Sequence, residues 1–355
     1  MESFLNLHFK LNGKNFASEE ILRKHAAILV ENGENDDVAI GNFILEWLND
    51  SDFVKVKTSG STGTPKTIKL HKKNMYNSAS ATVTYFKLLE GTKALLCMPS
   101  EYIAGKMMLV RAMIAGWNLY TAAPEKNPLK RNDSPFDFTA MVPYQVLHSL
   151  AELHKVKKLI VGGGAVPWQL EAELQSLSTS IFATYGMTET ISHIAVRPIN
   201  GKEKSDVFSA LPKVDFALTE TGCLIINAPE ISEAAVVTND VVELLSPTSF
   251  KFLGRIDNVI NSGGIKIHPE AVETKLSPYI NKPFFIASEK NDALGEQVIL
   301  LVEAEEQLLL QDFSEALQAL STYEKPKKIY TLQQFAYTDT GKIKRGDTLK
   351  KVIKS

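Results

Sequence analysis

Short apolar segments alternate with helix-like segments through the middle of the chain, and this alternation most constrains what the chain can fold into. Such a pattern is typical of a layered α/β domain with mostly parallel strands. Ligands of such sheets bind beyond the carboxyl ends of the strands. The strands are predicted at residues 53–57, 67–70, 94–98, 118–121, 138–142, 158–161 and 180–184, and the helices at residues 103–115, 143–153 and from residue 167.

The pattern changes after residue 211. Short β-rich pieces joined by polar turns are predicted at residues 216–218, 224–227, 235–238 and 241–245. Beyond them, two strands at residues 284–287 and 298–302 accompany a helix after Pro269 and another at residues 313–323. This mixed pattern predicts a small α+β domain of about a hundred residues, which is an ordinary domain size.

The composition is that of an ordinary globular protein. Of the 355 residues, 44% are hydrophobic and 23% charged, and the net charge of −2 gives no indication of nucleic acid or an anionic membrane as partner. Cys97 and Cys223 lie far apart and form neither a metal-ligand pattern nor a disulfide framework. The amino-terminal residues lack a signal-peptide pattern, and no apolar stretch reaches the length of a membrane span. We therefore expect a cytoplasmic protein.

One short loop carries five hydroxyl residues, two glycines and one lysine. Glycines let the backbone approach a ligand closely, and hydroxyls and a cation suit the oxygens of a polyphosphate. A Walker A loop ends in Gly-Lys-Ser/Thr, whereas here proline precedes the lysine, which argues against a P-loop kinase or GTPase. The loop consists of Thr58, Ser59, Gly60, Ser61, Thr62, Gly63, Thr64, Pro65 and Lys66.

Five further motifs follow this loop, and together they resemble the adenylate-forming superfamily of acyl-CoA synthetases, firefly luciferase and peptide-synthetase adenylation domains. They occur in that family's order along the chain. They are Gly162-Gly163-Gly164-Ala165-Val166-Pro167, Tyr185-Gly186-Met187-Thr188-Glu189-Thr190, Val237-Thr238-Asn239-Asp240, Gly254-Arg255-Ile256-Asp257 with Ser262-Gly263-Gly264, and Gly341-Lys342-Ile343-Lys344-Arg345.

The resemblance implies a nucleotide site that binds ATP and Mg²⁺. The loop from Thr58 to Lys66 would hold the β- and γ-phosphates. In the Tyr-Gly motif, Tyr185 would stack on adenine beside Gly186, Thr188 would bond the α-phosphate, and Glu189 would hold Mg²⁺. These side chains suit those roles, since an aromatic face suits a purine and a carboxylate suits a hard cation.

Further nucleotide contacts are implied for other motifs. Gly163 and Gly164 would line the adenine and acyl pockets. Asp240 would accept hydrogen bonds from the ribose hydroxyls, and Arg255 would also contact ribose. Asn239 replaces the glycine that the family usually has before this aspartate, and since asparagine tolerates left-handed geometry, we expect the turn to survive.

The resemblance also implies a fold with a mobile part. It predicts the adenylate-forming enzyme fold, trimmed at its amino terminus, with a large layered α/β domain over residues 1–254, a hinge at residues 255–258 and a small α+β domain over residues 259–355. Asp257 would be the hinge. Lys342 would bridge the acyl carboxylate and the α-phosphate, and rotation of the small domain would exchange it for Gly263 and Gly264 in the thiol step.

The implied reaction has two steps. A carboxylate attacks the α-phosphorus of ATP to give acyl-AMP and pyrophosphate, and a thiol, that of CoA, then attacks the mixed anhydride. Only 57 residues precede the phosphate loop, and such compact forms look like the o-succinylbenzoate–CoA ligases of menaquinone synthesis. That acid carries a second carboxylate, which the protein must neutralise.

Four residues are candidates for binding the acid. Lys106 and Arg111 are cations on an otherwise apolar helix, where they either face the substrate or reach solvent. Ser192 and His193 follow the Thr-Glu motif and would line the same pocket.

The sequence leaves several alternatives open. The acid could be another aryl or acyl acid, and the thiol could belong to a carrier protein. A nucleotide-binding module without catalysis is a further reading. A homo-oligomer is also open, because a second subunit could supply pocket wall that the short amino-terminal region lacks.

Overall fold

The computed structural model describes residues 4–57, 67–131, 134–337 and 343–352, and it divides into two compact units. The first unit comprises Met1–Ala217, Ile225–Val236 and Leu245–Phe250. The second comprises Leu218–Leu224, Val237–Leu244 and Lys251–Ser355. Some strands near the boundary contribute residues to both units, and the predicted boundary at residue 254 stays a prediction.

The first unit alternates strands and helices along the chain, as the sequence predicts. Two 3₁₀ helices, Leu150–Lys155 and Thr188–Thr190, follow α5 and β9. The elements in chain order are β1 (Lys10–Leu11), β2 (Lys14–Asn15), α1 (Glu19–Asn32), α2 (Asn35–Leu48), β3 (Phe53–Lys57), β4 (Thr67–His71), α3 (Lys72–Phe86), β5 (Lys93–Leu96), α4 (Ile103–Ala115), β6 (Asn118–Thr121), β7 (Phe136–Met141), α5 (Pro143–His148), β8 (Val156–Val161), α6 (Trp168–Leu174), β9 (Ser180–Gly186), β10 (His193–Pro198) and β11 (Val207–Ala210).

A mainly parallel sheet forms the centre of the first unit. The strand order is β11-β10-β9-β8-β7-β5-β6-β1-β2. Strands β5 to β9 run parallel to one another, whereas β10 and β11 return antiparallel at one edge. Strands β5, β7 and β8 end in runs of buried residues, which is typical of strands with both faces covered. The carboxyl ends of β8 and β9 therefore lie side by side at one edge of the sheet.

Helix α4 is buried on every side. All its residues from Gly105 to Met113 are buried, including the charged Lys106 and Arg111. A helix that is apolar all round belongs inside a protein. Its last turn ends at Gly116, whose left-handed backbone (φ 69°) lets its N–H donate to the carbonyl of Ala112. Helix α3 packs against α4, so side chains from these two helices lie near one another within the first unit.

Strands near the unit boundary form a run in which each strand contributes residues to both units. They pair in the order β12 (Asp215–Leu218), β13 (Cys223–Asn227), β14 (Val236–Ser246) and β15 (Ser249–Arg255). The sequence predicted two strands with a turn between them where the structure has the single strand β14. The polar pair Asn239-Asp240 favours a turn locally, but pairing with neighbouring strands keeps this backbone extended.

The second unit contains a mixed sheet and short helices. Strand β19 is central, with β18 antiparallel and β20 parallel to it, and β16 pairs with its first residue. Two 3₁₀ helices span Ile256–Asn258 and Leu310–Phe313. The other elements are β16 (Ile260–Ser262), β17 (Ile265–Ile267), α7 (Pro269–Leu276), β18 (Phe284–Asn291), β19 (Gly295–Glu303), α8 (Ser314–Gln318), β20 (Lys328–Leu332) and α9 (Arg345–Leu349).

Two predicted helices are shorter than the sequence suggested. The helix predicted over residues 143–153 ends at His148 and continues as a 3₁₀ helix, because Ser149 leaves the helical region (φ −109°, ψ 9°). The helix predicted over residues 313–323 is α8, which ends at Gln318. Short polar helices form little stable structure without packing on one face. In the described part of the chain no helix combines the length and the apolar composition needed to cross a membrane.

Candidate functional site

The predicted phosphate loop and the predicted catalytic lysine lie outside the described residues. The gap at residues 338–342 contains Lys342. The gap at residues 58–66 contains the predicted phosphate-binding residues Thr58, Ser59, Gly60, Ser61, Thr62, Gly63 and Lys66. The residues that flank this second gap are described. Lys57 and Thr67 are direct partners at the end of the β3–β4 hairpin, so the described residues on the two sides of this gap lie next to each other in the first unit.

The Tyr-Gly motif lies at the carboxyl end of β9, as the sequence predicts. The Tyr185 ring packs against the rings of Phe208 and Phe250, with centroids 5.8 and 5.1 Å away. A side chain does not fit at Gly186, because a Cβ there would lie 2.4 Å from the carbonyl oxygen of Ser192. The chain therefore turns back tightly after Gly186, and this turn presents Thr188 and Glu189 at the edge of the sheet.

The turn after Glu189 is braced by Thr190 and contains a strained residue. The Thr190 hydroxyl oxygen accepts a hydrogen bond from the N–H of Met187 at 2.9 Å and lies 2.9 Å from the carbonyl oxygen of Ser192. Ile191 has φ 65° and ψ −55°, which is unusual for a β-branched residue. Such strain persists only where the surroundings hold it, and it is common at functional sites.

The glycine run after β8 lies beside this turn, because β8 and β9 are neighbouring parallel strands. The N–H of Gly162 donates to the carbonyl of Met141 at 3.1 Å. Gly163 has φ 77°, a left-handed conformation that glycine adopts freely. The structure thus brings Gly163, Gly164 and the Tyr-Gly motif to one edge of the first unit.

A buried polar cluster joins α3, α4 and the start of β10. Arg111 is only 2% exposed, and its Nη2 donates to the Ser192 hydroxyl at 2.7 Å. The same hydroxyl lies 3.3 Å from Nδ1 of His193, whose Nε2 lies 3.4 Å from the hydroxyl of Thr82. The structure therefore brings three of the four predicted acid-binding residues together, and it adds Thr82.

Burial sets the charge states within this cluster. It lowers the pKa of Arg111 to about 9, so the guanidinium is still a cation at neutral pH. It also lowers the pKa of His193 well below its usual value, and the positive charge of Arg111 lowers it further. His193 is therefore a neutral imidazole. Its position follows from an irregular register, since the pairing of β9 and β10 shifts between His193 and Ala195.

Lys106 does not join this cluster. Its ammonium donates to the carbonyl of Lys55 at 3.1 Å and lies 3.4 Å from a carboxylate oxygen of Glu46. It also lies over the Phe43 ring, 4.7 Å from the centroid. Its charge is therefore compensated by α2 and β3 of the first unit.

Asp240, Arg255 and Asp257 form an ion-pair cluster within the second unit. The Arg255 guanidinium contacts Asp240 at 3.3 Å and Asp257 at 3.0 Å. Asp240 is buried, and its N–H donates to the Thr238 hydroxyl at 3.1 Å. Asn239 is part of strand β14 and does not have the left-handed backbone expected from the sequence. Pairing in the sheet thus holds Asp240 without the expected turn.

The Gly-Gly motif forms the turn of a two-stranded hairpin. Ser262 pairs with Ile265 across it, and the two residues between them, Gly263 and Gly264, have φ 59° and 81°. Two central residues with positive φ fit the tight turn whose twist matches paired strands. The N–H of Gly263 also donates to the carbonyl of Leu294 at 2.8 Å.

Residues on both sides of the gap at 338–342 are held firmly in the second unit. Tyr337 and Ile343 form an antiparallel bridge. Arg345, the last residue of the Gly-Lys-x-x-Arg motif, donates to both carboxylate oxygens of Glu273 at 2.8 and 2.7 Å. Burial nevertheless raises the pKa of Glu273 to about 7. Nothing in the sequence indicates this partner of Arg345, because the two residues lie 72 positions apart.

The Glu189 carboxylate suits an Mg²⁺ ion that is bound together with phosphates. Among the described residues, no group of three His, Cys, Asp or Glu side chains could hold a metal. Mg²⁺ does not need such a group, because it is usually held by one or two carboxylates and by substrate phosphates. Glu189 is an exposed carboxylate at the sheet edge, and it fits that pattern.

Comparisons with known proteins agree with the resemblance in the sequence. The 2-succinylbenzoate–CoA ligase of Listeria monocytogenes is 25% identical over 317 residues, which cover 81% of this chain and 68% of the relative. The Escherichia coli enzyme of that name is 24% identical over 293 residues, which cover 78% of this chain and 63% of the relative. This chain thus spans about two thirds of their length.

Solved structures confirm the predicted adenylate-forming fold. An acyl-CoA synthetase (AMP-forming)/AMP-acid ligase II-like protein from Dyadobacter fermentans is 35% identical, with a TM-score of 0.62, and the match covers 90% of this chain and 95% of that one. O-succinylbenzoate coenzyme A synthetase from Bacillus subtilis has a TM-score of 0.69 at 19% identity, with 83% and 69% covered. Residues 54–233, half of the chain, match the model of the AMP-binding enzyme family. The chain therefore belongs to the AMP-binding enzyme family.

Proposed function

We propose that this protein is an AMP-forming acid–CoA ligase whose acid is o-succinylbenzoate, as in menaquinone biosynthesis. The carboxylate of the succinyl arm attacks the α-phosphorus of ATP, forming acyl-AMP and releasing pyrophosphate. The thiol of CoA then attacks the acyl carbon, a thioester forms and AMP leaves. The names of the relatives from Listeria monocytogenes and Escherichia coli support this assignment.

The observation that carries the substrate assignment is the buried cation Arg111. Burial is the cause of its lowered pKa, and among the described residues no carboxylate forms an ion pair with it. Its Nε atom is buried and has no hydrogen-bond partner in the described part of the chain. A buried charge without a partner is costly. A carboxylate from the substrate would compensate it, since arginine binds carboxylates with two parallel hydrogen bonds.

The acid pocket is built from Arg111 with Ser192 and His193. The Ser192 hydroxyl holds one nitrogen of the guanidinium, which fixes the plane of its remaining N–H groups. His193 is neutral and adds no second charge. One net positive charge in the pocket matches the single spare carboxylate of o-succinylbenzoate. Lys106 is assigned no contact with the acid, because its ammonium is compensated by Glu46.

The remaining roles follow the family pattern. In the first unit, the loop from Thr58 to Lys66 binds the β- and γ-phosphates, Gly163, Gly164, Tyr185 and Gly186 bind adenine, Thr188 binds the α-phosphate and Glu189 binds Mg²⁺. When bound, Mg²⁺ shares the negative charge of the phosphates. In the second unit, Asp240 and Arg255 bind ribose, Lys342 stabilises the transition state of adenylation, Gly263 and Gly264 serve the thiol step, and Asp257 is the hinge.

We also propose that the protein is cytoplasmic and that it forms a homo-oligomer. Cys97 and Cys223 are both free thiols in buried positions, as is usual in the reducing cytoplasm, and ATP and CoA are available there. In such an oligomer, a second subunit would contribute to the wall of the acid pocket.

Acid-dependent ATP–pyrophosphate exchange tests this function. Purified protein is assayed with o-succinylbenzoate, benzoate, other aryl acids, and short and long fatty acids. Exchange with o-succinylbenzoate alone is expected, followed by formation of the CoA thioester. Exchange with a different acid would overturn the substrate, and ATP binding without any exchange would overturn the enzymatic assignment. A carrier-protein acceptor would show as acyl-AMP that CoA does not consume.

A further inference from the structure

Thr82 lies at the far end of the buried polar cluster, on helix α3, away from Arg111. It is fully buried, and its hydroxyl donates to the carbonyl of Ser78 at 3.2 Å, one turn earlier in the helix. The same oxygen lies 3.4 Å from Nε2 of His193. A hydroxyl has one hydrogen to donate and lone pairs that accept. Because that hydrogen points to Ser78, the oxygen faces His193 as an acceptor, and Nε2 carries the imidazole hydrogen.

This tautomer fixes the direction of every other hydrogen bond in the cluster. With the hydrogen on Nε2, Nδ1 is an acceptor, and the Ser192 hydroxyl 3.3 Å away donates to it. The Ser192 oxygen then offers its lone pair to Nη2 of Arg111 at 2.7 Å, and arginine is always a donor. The opposite tautomer would leave the Ser192 hydrogen without its acceptor. The tautomer with hydrogen on Nε2 therefore makes one hydrogen bond more.

We propose that Thr82 is a positioning residue for acid binding, which sets the tautomer of His193 and, through Ser192, holds the Arg111 guanidinium in place for a substrate carboxylate. Thr82 touches neither acid nor nucleotide in this arrangement and acts through the two residues between it and Arg111. This inference rests on the proposed function for its consequence in binding, but the direction of the hydrogen-bond chain is a property of the free protein.

The sequence offers matched variants. Thr82→Val keeps the shape of the side chain and removes the acceptor, whereas Thr82→Ser keeps the hydroxyl. Thr84→Val makes the same chemical change at an exposed position of the same helix and serves as the control. Loss of one hydrogen bond predicts a rise of roughly two- to tenfold in KM for the acid with Thr82→Val. The KM for ATP and kcat should stay unchanged, and Thr82→Ser should restore the acid KM.

The first experiment reads the tautomer directly. Protein labelled with ¹⁵N-histidine is examined by multiple-bond ¹H–¹⁵N NMR without substrate, and the His193 signals are identified by their loss in His193→Gln. We expect hydrogen on Nε2 in the native protein and in Thr82→Ser, and a shift toward hydrogen on Nδ1 in Thr82→Val. Hydrogen on Nδ1 in the native protein, or an unchanged tautomer in Thr82→Val, would overturn the inference.

The two proposals fail in different ways. If the exchange assay rejects o-succinylbenzoate while the tautomer shifts as expected, the substrate assignment is wrong and the hydrogen-bond chain stands. If o-succinylbenzoate is activated but Thr82→Val leaves its KM unchanged, the positioning role is wrong and the proposed function stands. Thermal unfolding of each variant checks that any loss does not come from misfolding.

Discussion

Replacing Arg111 with glutamine is expected to weaken binding of a diacid much more than binding of a monoacid. The guanidinium is buried, and glutamine removes its charge while its amide still offers a donor toward Ser192. The informative pair of substrates is o-succinylbenzoate and 4-oxo-4-phenylbutanoate, which lacks only the carboxylate on the ring. The spare carboxylate should lose its partner in the variant, whereas the monoacid has no such partner to lose.

The size of the effect follows from the burial of the cation. A hydrogen bond to a charged group contributes about 1.5–3 kcal/mol, and about 1.4 kcal/mol corresponds to a tenfold change. The kcat/KM for the diacid should therefore fall roughly 10- to 150-fold in Arg111→Gln. Combining the two enzymes with the two acids gives a double-mutant cycle, and its coupling energy should reach at least about 1.5 kcal/mol.

The assay is the initial rate of ATP–pyrophosphate exchange at saturating ATP across a range of acid concentrations. Arg131→Gln is a matched control, because Arg131 is an arginine of the same unit with an exposed side chain, and it should change neither acid. An equal loss of kcat/KM for both acids in Arg111→Gln would refute the reasoning, because it would show that Arg111 supports the fold or the reaction without contacting the second carboxylate.

Three further predictions concern the nucleotide and the second unit. Lys342→Ala should lower ATP–pyrophosphate exchange by at least roughly 10²-fold, like loss of one preorganised charge stabiliser, and should spare thioester formation from supplied acyl-AMP; equal loss of both steps would contradict it. Asp240→Asn should raise KM for ATP roughly tenfold and leave KM for the acid unchanged, because an amide is a poorer acceptor than a carboxylate for two ribose hydroxyls. An unchanged KM for ATP would show that Asp240 does not bind the nucleotide. Burial raises the pKa of Glu273 from 4.5 to about 7, so the folded state binds this proton more tightly. Its contribution to the unfolding free energy is therefore full below pH 4.5 and is lost as pH rises through about 7. Urea unfolding between pH 4.5 and about 7 should show this loss of unfolding free energy in the native protein and not in Glu273→Gln. If the unfolding free energies of the two proteins change with pH in parallel, the Glu273 carboxyl titrates normally.

The sequence predicted the elements whose own residues decide their structure. Helix α4 begins and ends at the predicted residues, 103 and 115, because it is a long apolar run that stops at a glycine. Strand β14 was predicted as two pieces, because Asn239 and Asp240 favour a turn and only the neighbouring strands keep them extended. Local preference therefore sufficed inside the core and failed where strand pairing overrides it.

The sequence was less informative about which charged side chains are available to a ligand. Lys106 and Arg111 lie on one apolar helix and looked equivalent. Their difference comes from Glu46, which compensates only Lys106 and lies 60 positions away in the chain. The sequence did not indicate Thr82 as a site residue either, since a threonine in a helix is ordinary. Its contact with His193 depends on the relative positions of α3 and β10. Such pairings arise from tertiary structure, which a single sequence does not reveal.

If Arg111 binds the acid as proposed, the burial of α4 makes substrate recognition and the stability of the fold conflict at this residue. Helix α4 belongs to the core, and an apolar side chain at position 111 would suit its surroundings better than a cation does. Under the proposed function, keeping arginine there preserves recognition of the second carboxylate at the expense of stability, as is common for functional residues. A descendant of this protein that came to use a monocarboxylic acid would be free of that conflict, and selection for a more stable fold would then favour the loss of Arg111.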